Sequence, residues 1–258
     1  MTDARGASLK ARIAAGEQLV GTWVKTPSPM LCEVLGATAL DMVCLDAEHA
    51  PFDRLTQDQC LHALRAASMP ALVRVPAARP EYLLNALDCG ATGVVVPHVT
   101  SAAMARDVVA QSHFGAGGRG YAGSTRAAGY TRKPMASHLE DSAAQTVVIA
   151  QIEDVEALDA IDEIAAVEGI DCLFVGRIDL CVALGADSPS DAIVVDAVEK
   201  ICAAGAAAGR PVGMFVGDIS EVPHWQSRGA SFFLLGSDHA FVLRGAASLV
   251  ETFRGGGA

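Results

Sequence analysis

Apolar and polar residues alternate along this chain in two regular patterns. Short runs rich in β-branched residues are typical of strands buried on both faces. The longer, alanine-rich stretches between them repeat their apolar positions with helical spacing. Eight runs are predicted as strands, at residues 20–24, 42–45, 71–75, 93–96, 147–152, 172–175, 212–216 and 232–235. Helices are predicted at residues 7–16, 28–36, 56–67, 81–88, 101–111, 154–167, 191–208, 221–228 and 238–253.

The order of these elements predicts the fold. Strands that alternate with helices form parallel sheets, because each helix crosses back over the sheet before the next strand begins. Eight such units close into a barrel, so we predict a single α/β domain, a (β/α)8 TIM barrel, over residues 1–258. A doubly wound open sheet is the alternative, but no GxGxxG motif follows the first strand.

One connection departs from the pattern. Residues 112–145, between the fourth and fifth strands, lack periodicity and contain six glycines together with Arg119, Arg126 and Arg132. Irregular connections of this length in compact domains are usually functional or disordered. Backbone N–H groups at Arg119, Gly120 and Ser124 could form an anion-binding turn. A glycine-rich loop without a ligand is the other interpretation.

Composition narrows the function. The formal net charge of −11 argues against nucleic acids and anionic membranes as partners, because both require a basic surface. A mean hydropathy of +0.33 is high for a monomer and favours apolar surface buried between subunits. Seven cysteines without a CxxC motif are expected to be reduced and buried, and no apolar run is long enough to span a membrane. We therefore expect a cytoplasmic homo-oligomer.

Polar side chains follow nearly every predicted strand. In barrels of this type the catalytic groups lie at the carboxyl ends of the strands, on one rim. The residues expected there are Lys25, Asp46, Glu48, His49, Arg74, His98, Gln151, Glu153, Arg177, Asp179, Asp218, Ser237 and Asp238.

Glu153 and Asp179 follow the fifth and sixth strands. Each alone could be an acid that stabilises the start of a helix. Neighbouring parallel strands lie about 4.8 Å apart, however, so the two carboxylates can share one cation. Carboxylate oxygens without a thiolate or imidazole partner suit a hard divalent ion, so the pair predicts a site for Mg²⁺ or Mn²⁺, with Co²⁺ as a further candidate.

His49 is the best candidate for a general base, although a surface histidine is an equally common reading of a lone histidine on a loop. Asp46 could accept its Nδ1–H and fix the tautomer, and Glu48 is the alternative orienting acid. Arg74 lies within an apolar run and needs an anion nearby. It could form a structural ion pair, or it could stabilise a developing enolate.

Several segments resemble one family. Residues 21–53 resemble the start of the class II pyruvate aldolases, which are the HpcH/HpaI or 2,4-dihydroxyhept-2-enedioate aldolase family of the phosphoenolpyruvate/pyruvate barrels. The segments LVRVP, LDCGATGVVVPHV, GGRGYAG, QIED and VGRIDL continue the resemblance in the same order. It implies reversible aldol cleavage of a 2-keto-4-hydroxy acid to pyruvate, or to a close 2-keto acid such as hydroxypyruvate, and an aldehyde.

The resemblance also implies roles for individual residues. Glu153 and Asp179 would hold the metal, Gln151 would contact pyruvate or a metal-bound water, and the backbone of Ile178 and Asp179 would receive the pyruvate carboxylate.

His49 and Asp46 would form the base dyad, Arg74 would stabilise the enolate, and Asp88 would be a further catalytic acid near the active site. Family members are commonly hexamers, trimers of dimers in which the last helix packs on a neighbouring subunit.

Arg177 and Cys181 stand where the family turn usually carries proline and serine, so Arg177 is a candidate to bind an acidic aldehyde. Three other functions stay open. A Schiff-base aldolase would use Lys25, the one lysine at a predicted strand end. An acyl-CoA lyase would share the barrel and the metal acids. A keto-acid-binding protein without turnover would not need the complete set of catalytic residues.

Overall fold

A computed structural model describes residues 4–255 as a closed barrel. Eight parallel strands pair in sequence order, and the eighth pairs with the first. They are β1 (Leu19–Val24), β2 (Met42–Asp46), β3 (Ala71–Arg74), β4 (Gly93–Val96), β5 (Val147–Ile152), β6 (Cys172–Val175), β7 (Val212–Val216) and β8 (Ala230–Ser237). All eight predicted strands are present, and the predicted TIM barrel is confirmed.

Twelve α-helices and one short 3-10 helix surround these strands within residues 4–255. The α-helices are α1 (Ala4–Ala14), α2 (Pro29–Gly36), α3 (Arg54–Ala66), α4 (Pro80–Asp88), α5 (Ala102–Ser112), α6 (Met135–Gln145), α7 (Val155–Asp159), α8 (Ile161–Ala165), α9 (Arg177–Ala183), α10 (Ala192–Ala207), α11 (Val222–Gln226) and α12 (Asp238–Gly255). The 3-10 helix, Ile219–Glu221, precedes α11. None of the helices has both the length and the apolar character needed to cross a bilayer.

The barrel interior is filled by large side chains. Phe174 is 1% exposed and packs edge-on against Trp23 and Phe232, with ring centroids 5.9 and 6.2 Å apart. Leu9 and Ile13 of α1 belong to the same buried cluster, so α1 closes the amino-terminal end of the barrel. A second and larger apolar layer separates the strands from the outer helices. The carboxyl-terminal rim is left for polar groups.

The predicted irregular connection is shorter than expected. Helix α6 occupies the second part of residues 112–145, so that only residues 113–134 are irregular. The prediction missed α6 because His138 is its one buried residue, which leaves little apolar periodicity. Segment 113–134 is held to the barrel by Arg126, which donates to the carbonyls of Asp58 and Cys89 at 3.0 and 3.1 Å.

Candidate active site

Asp46 is the centre of a buried ion-pair network on the rim. It is paired with Arg74 in the β2–β3 register, and Arg74 donates to its Oδ1 through Nε at 3.1 Å and Nη2 at 2.8 Å. Lys25 Nζ lies 3.1 Å from the other oxygen. Burial opposes the charged form, but Arg74, the His49 N–H and Lys25 outweigh it and hold the pKa of Asp46 below its usual value.

Arg74 is held in place by contacts with three residues. Its Nε also lies 3.2 Å from Glu48 Oε2, and its guanidinium stacks over the Trp23 ring at 4.4 Å. The side chain is therefore held rigidly at the end of β3 with 6% of its surface exposed. Both readings of Arg74 from the sequence are compatible with this geometry: it forms a structural ion pair, and it presents a fixed positive charge at the rim.

The expected hydrogen bond between the His49 ring and Asp46 is not formed. Asp46 Oδ1 accepts the backbone N–H of His49 at 3.1 Å instead, and the His49 ring lies with Nε2 3.7 Å from Glu48 Oε2. Asp46 Oδ1 already accepts from Arg74 and from the His49 backbone, and Lys25 lies beside Oδ2. The alternative orienting acid, Glu48, is the one that the structure brings to His49.

Glu48, His98 and Glu153 form a compact cluster. One potential ligand atom from each lies within 4.8 Å of the others. The His98 backbone N–H donates to Glu153 Oε1 at 3.0 Å, and its ring is 3.1 Å from the Asp154 carboxylate. Burial raises the pKa of both Glu48 and Glu153. Burial lowers the pKa of His98, but Asp154, Glu153 and Glu48 raise it further, so the net shift is upward.

Gln151 and Gly176 shape the surroundings of Glu153. Gln151 donates to Glu153 Oε2 at 2.5 Å, while its own Oε1 is buried and has no hydrogen-bond partner among the described residues. A Cβ added to Gly176 would lie 2.5 Å from Glu153 Oε2. The absence of a side chain at Gly176 therefore lets the carboxylate lie against the turn between β6 and α9.

Asp179 and Ile178 lie in the first turn of α9, directly after that glycine. Both are exposed, and the Asp179 carboxylate has no hydrogen bond or ion pair within residues 4–255. It is nonetheless close enough to Glu48 to contribute to the raised pKa of that acid. Glu153 is buried, Gln151 Oε1 has no partner among the described residues and the Asp179 carboxylate is uncommitted. They lie in or shortly after the neighbouring strands β5 and β6, and oxygen groups of this kind suit a hard divalent cation.

Two residues singled out in the sequence do not join the site. Asp88 ends α4 just before β4 begins, at the opposite end of the barrel, where its carbonyl accepts the N–H of Ala127. Within one chain it therefore does not reach the rim. Arg177 is engaged by groups outside the cluster around Glu153: it is 2.7 Å from Glu221, stacks over Trp225 and is 7% exposed. That Arg177 binds an acidic aldehyde stays a prediction, although its guanidinium is paired with Glu221 in the single chain.

The sequence analysis placed Glu48 and His98 on the rim but did not include either among the candidate metal ligands. The available signal for Glu48 was a third ionisable group, two residues after Asp46 and one before His49, in the turn that follows β2. His98 gave no such signal. It adopts a left-handed backbone conformation, with φ of 55°, and this is a tertiary feature that turns its N–H toward Glu153.

Comparisons with known proteins identify one family. The model of the HpcH/HpaI aldolase/citrate lyase family matches residues 19–244. A hydroxypyruvate/pyruvate aldolase of Paraburkholderia phytofirmans is 32% identical over 95% of this chain and 97% of its own length. A 5-keto-4-deoxy-D-glucarate aldolase of Shigella boydii is 33% identical over 95% of each chain. The crystal structure of an HpcH/HpaI aldolase/citrate lyase family protein from Burkholderia cenocepacia superimposes with a TM-score of 0.91 at 33% identity, covering 96% of this chain and 99% of that one.

Proposed function

The chain belongs to the HpcH/HpaI aldolase/citrate lyase family and is a carbon–carbon lyase of the class II aldolase type, and we propose that its substrates are 2-keto-4-hydroxy acids. Cleavage would give pyruvate, or a close 2-keto acid such as hydroxypyruvate, and an aldehyde. The observation that carries the proposal is the group of oxygen ligands around Glu153, which lies beside the fixed charge of Arg74 on the catalytic rim of the barrel.

Glu153 and Asp179 are the proposed metal ligands, for Mg²⁺ or Mn²⁺. Glu48 and His98 are the competing partners of Glu153, but Glu48 is paired with Arg74 and His98 with Asp154. The Asp179 carboxylate has no such commitment. A divalent cation bound there would act as a Lewis acid toward the oxygens of the 2-keto acid.

The protein's own groups account for substrate binding at this site. Gln151 holds Glu153 through its amide, and its buried, unpartnered Oε1 would contact the 2-keto acid or a metal-bound water. The backbone N–H groups of Ile178 and Asp179, in the first turn of α9, would donate hydrogen bonds to the carboxylate of the 2-keto acid. These contacts fix the acid end of the substrate and leave its C4 hydroxyl toward the half-exposed side of the rim.

His49 is the proposed general base, and Arg74 is the group proposed to stabilise the negative charge of the enolate. His49, with 54% of its side chain exposed and Glu48 beside it, would remove the C4 hydroxyl proton. The C3–C4 bond then breaks, its electron pair passes to the 2-keto acid fragment as an enolate, and the aldehyde leaves. Arg74 would stabilise the enolate until it is protonated at C3. Its pairing with Asp46 keeps the guanidinium in place during this step.

The Schiff-base alternative is disfavoured by the position of Lys25. Its ammonium group is 3.1 Å from the buried carboxylate of Asp46, and an ion-paired ammonium is not a nucleophile. Borohydride treatment in the presence of pyruvate would trap a covalent adduct if this alternative were correct. We expect no adduct.

The assembly proposed is a cytoplasmic homohexamer in which α12 packs on a neighbouring subunit. Apolar side chains along α12 are exposed in the single chain, among them Leu249 at 74% and Phe253 at 88%. Burial of such a surface between subunits would also account for the high mean hydropathy of the chain.

A retro-aldol screen tests the function. A set of 2-keto-4-hydroxy acids is supplied with Mg²⁺, with Mn²⁺ or with EDTA, and released pyruvate is detected with lactate dehydrogenase. We expect turnover that EDTA abolishes and metal restores. Glu153→Ala and Asp179→Ala should be inactive, whereas Asp218→Ala, which removes an exposed acid at the end of β7, should retain activity. Full turnover in EDTA, or cleavage of acyl-CoA substrates alone, would contradict the proposal.

A further inference from the structure

A second polar cavity lies at the opposite end of the barrel from the catalytic rim. It lies between α4, α6 and segment 113–134 and has a volume of about 400 Å³, which is in the range of small-molecule sites. Its charged lining consists of four cationic side chains, Arg65, Arg119, Arg132 and Lys133, and one carboxylate, Asp141. This is a local excess of positive charge in a chain whose net charge is −11.

Arg119 is the most informative residue of this cavity. It is 7% exposed, stacks over Phe114 at 4.0 Å and donates to Ser142 Oγ at 3.4 Å. Its Nε has no hydrogen-bond partner, and no carboxylate among residues 4–255 lies within 4.0 Å of the guanidinium. Burial lowers the pKa of Arg119 to about 10, against the opposing effect of Asp88. A buried cation without a paired anion is costly, so this arrangement calls for a counter-ion.

His138 supplies a second unpartnered group in the same cavity. Its side chain is 3% exposed, packs against Phe114 with ring centroids 5.3 Å apart, and has a buried Nε2 with no partner among the described residues. Lys133 is occupied by Asp141, but Arg132 is exposed and is bonded only to the carbonyl of Gly129. Guanidinium and imidazole groups thus line one cavity, and two of their buried nitrogens have no partner among the described residues.

We propose that this cavity binds a small, multiply charged oxyanion of the phosphate or dicarboxylate kind, with Arg119, Arg132 and His138 as its donors. Guanidinium groups bind such oxyanions through paired, charge-assisted hydrogen bonds. The bound anion would neutralise the buried charge of Arg119 and satisfy the unpartnered nitrogen of His138. The site is separate from the catalytic rim and independent of the aldolase proposal. The proposal assigns a ligand to segment 113–134, which has no part in the proposed catalytic roles.

Anion binding can be measured on the full-length protein. Inorganic phosphate and succinate are titrated at constant ionic strength against chloride, while thermal unfolding and the NMR signals of the seven histidine rings are followed. The His138 signal is identified by its loss in His138→Gln. We expect one or both anions to raise Tm and to shift the His138 signal in a saturable way. The ratio of the two affinities then distinguishes a phosphate from a dicarboxylate ligand.

Anion binding by substituted proteins tests whether this site is distinct from the rim. Arg119→Gln and Arg132→Gln should each weaken binding about tenfold or more, the usual cost of removing a hydrogen bond to a charged group. Arg132 is exposed, so its variant keeps the test valid if Arg119→Gln fails to fold. Arg79→Gln, at another exposed arginine, and Glu153→Gln, at the rim, should bind as the wild type does. Anions that leave the His138 signal unmoved, or that bind both cavity variants with wild-type affinity, would overturn the proposal.

Discussion

At the scale of single residues, the role of a charged group on the rim depends on its partners in the folded chain more than on its neighbours in the sequence. Asp46 was expected to orient His49, which follows three residues later. In the folded chain its oxygens are paired with Arg74 and Lys25, so Asp46 anchors Arg74, the cation proposed to stabilise the enolate. Glu48 is left to orient His49, and it connects that histidine to the acidic cluster around Glu153.

The two possible sets of metal ligands make different predictions for single substitutions. If Glu153 and Asp179 hold the ion, Asp179→Asn should lower Mn²⁺ affinity by about 100-fold or more, because it removes one of two charged ligands. Glu48→Gln should lower it about tenfold or less. Mn²⁺ binding is measured by electron paramagnetic resonance or calorimetry, without reference to turnover. The reverse order of the two variants would assign the ion to Glu48, His98 and Glu153.

At the scale of elements, the strands could be predicted because each is a short β-branched run that is buried on both faces. Because the carboxyl ends of those strands lie on one rim, Arg74, Gln151 and Glu153 could also be placed there from the sequence. Residues whose positions depend on another βα unit could not be placed this way. Arg177 follows β6 but pairs with Glu221, after β7, and this contact has no local signature.

Helices without an apolar stripe were also missed or misjudged. Helix α6 buries little, and α9 is a short helix after a strand. The predicted helix at residues 154–167 is two short helices that meet at Ala160. In each case the tertiary surroundings determine the structure more strongly than the local sequence does.

The junction between β1 and α12 gives a prediction about pH. Asp238 is 1% exposed and accepts the backbone N–H groups of Lys25 and Thr26 at 2.9 and 2.8 Å. Burial opposes its charged form, but hydrogen bonds from Thr26 and Lys25 outweigh it and hold the pKa of Asp238 below the ordinary 3.8. A depressed carboxyl pKa contributes stability above the ordinary value, and that contribution is lost as pH falls through the folded-state pKa.

We therefore expect Asp238→Asn to lower the free energy of unfolding by about 1–3 kcal/mol at neutral pH, the usual effect for a hydrogen bond to a charged group. The difference from the wild type should narrow as the pH falls below 3.8, the ordinary pKa of the group. Urea unfolding of both proteins across this pH range measures it. A difference that stays constant with pH would show that the charge of Asp238 has no part in holding the junction.

At the scale of the whole molecule, the two ends of the barrel carry opposite chemistry. The carboxyl-terminal rim carries acids, among them Glu48, Glu153 and Asp179, and is the proposed site of a cation. The amino-terminal end has a cavity lined by cationic side chains, Arg119 and Arg132 among them, which is the proposed anion site. The parallel fold produces this separation, because every strand ends at one rim and every crossover helix returns to the other.

The exposed apolar face of α12 leads to a prediction about the oligomeric state. Val242, Leu249 and Phe253 are 67%, 74% and 88% exposed, and their spacing of seven and four residues places them on one face of α12. An apolar stripe of this kind marks a surface that another chain covers. Leu249→Asp combined with Phe253→Asp should therefore convert the proposed hexamer into smaller species, measured by light scattering after gel filtration. Ser248→Asp adds charge to a different face and should leave the assembly intact. A wild-type monomer, or a double variant that stays hexameric, would show that α12 does not hold the subunits together.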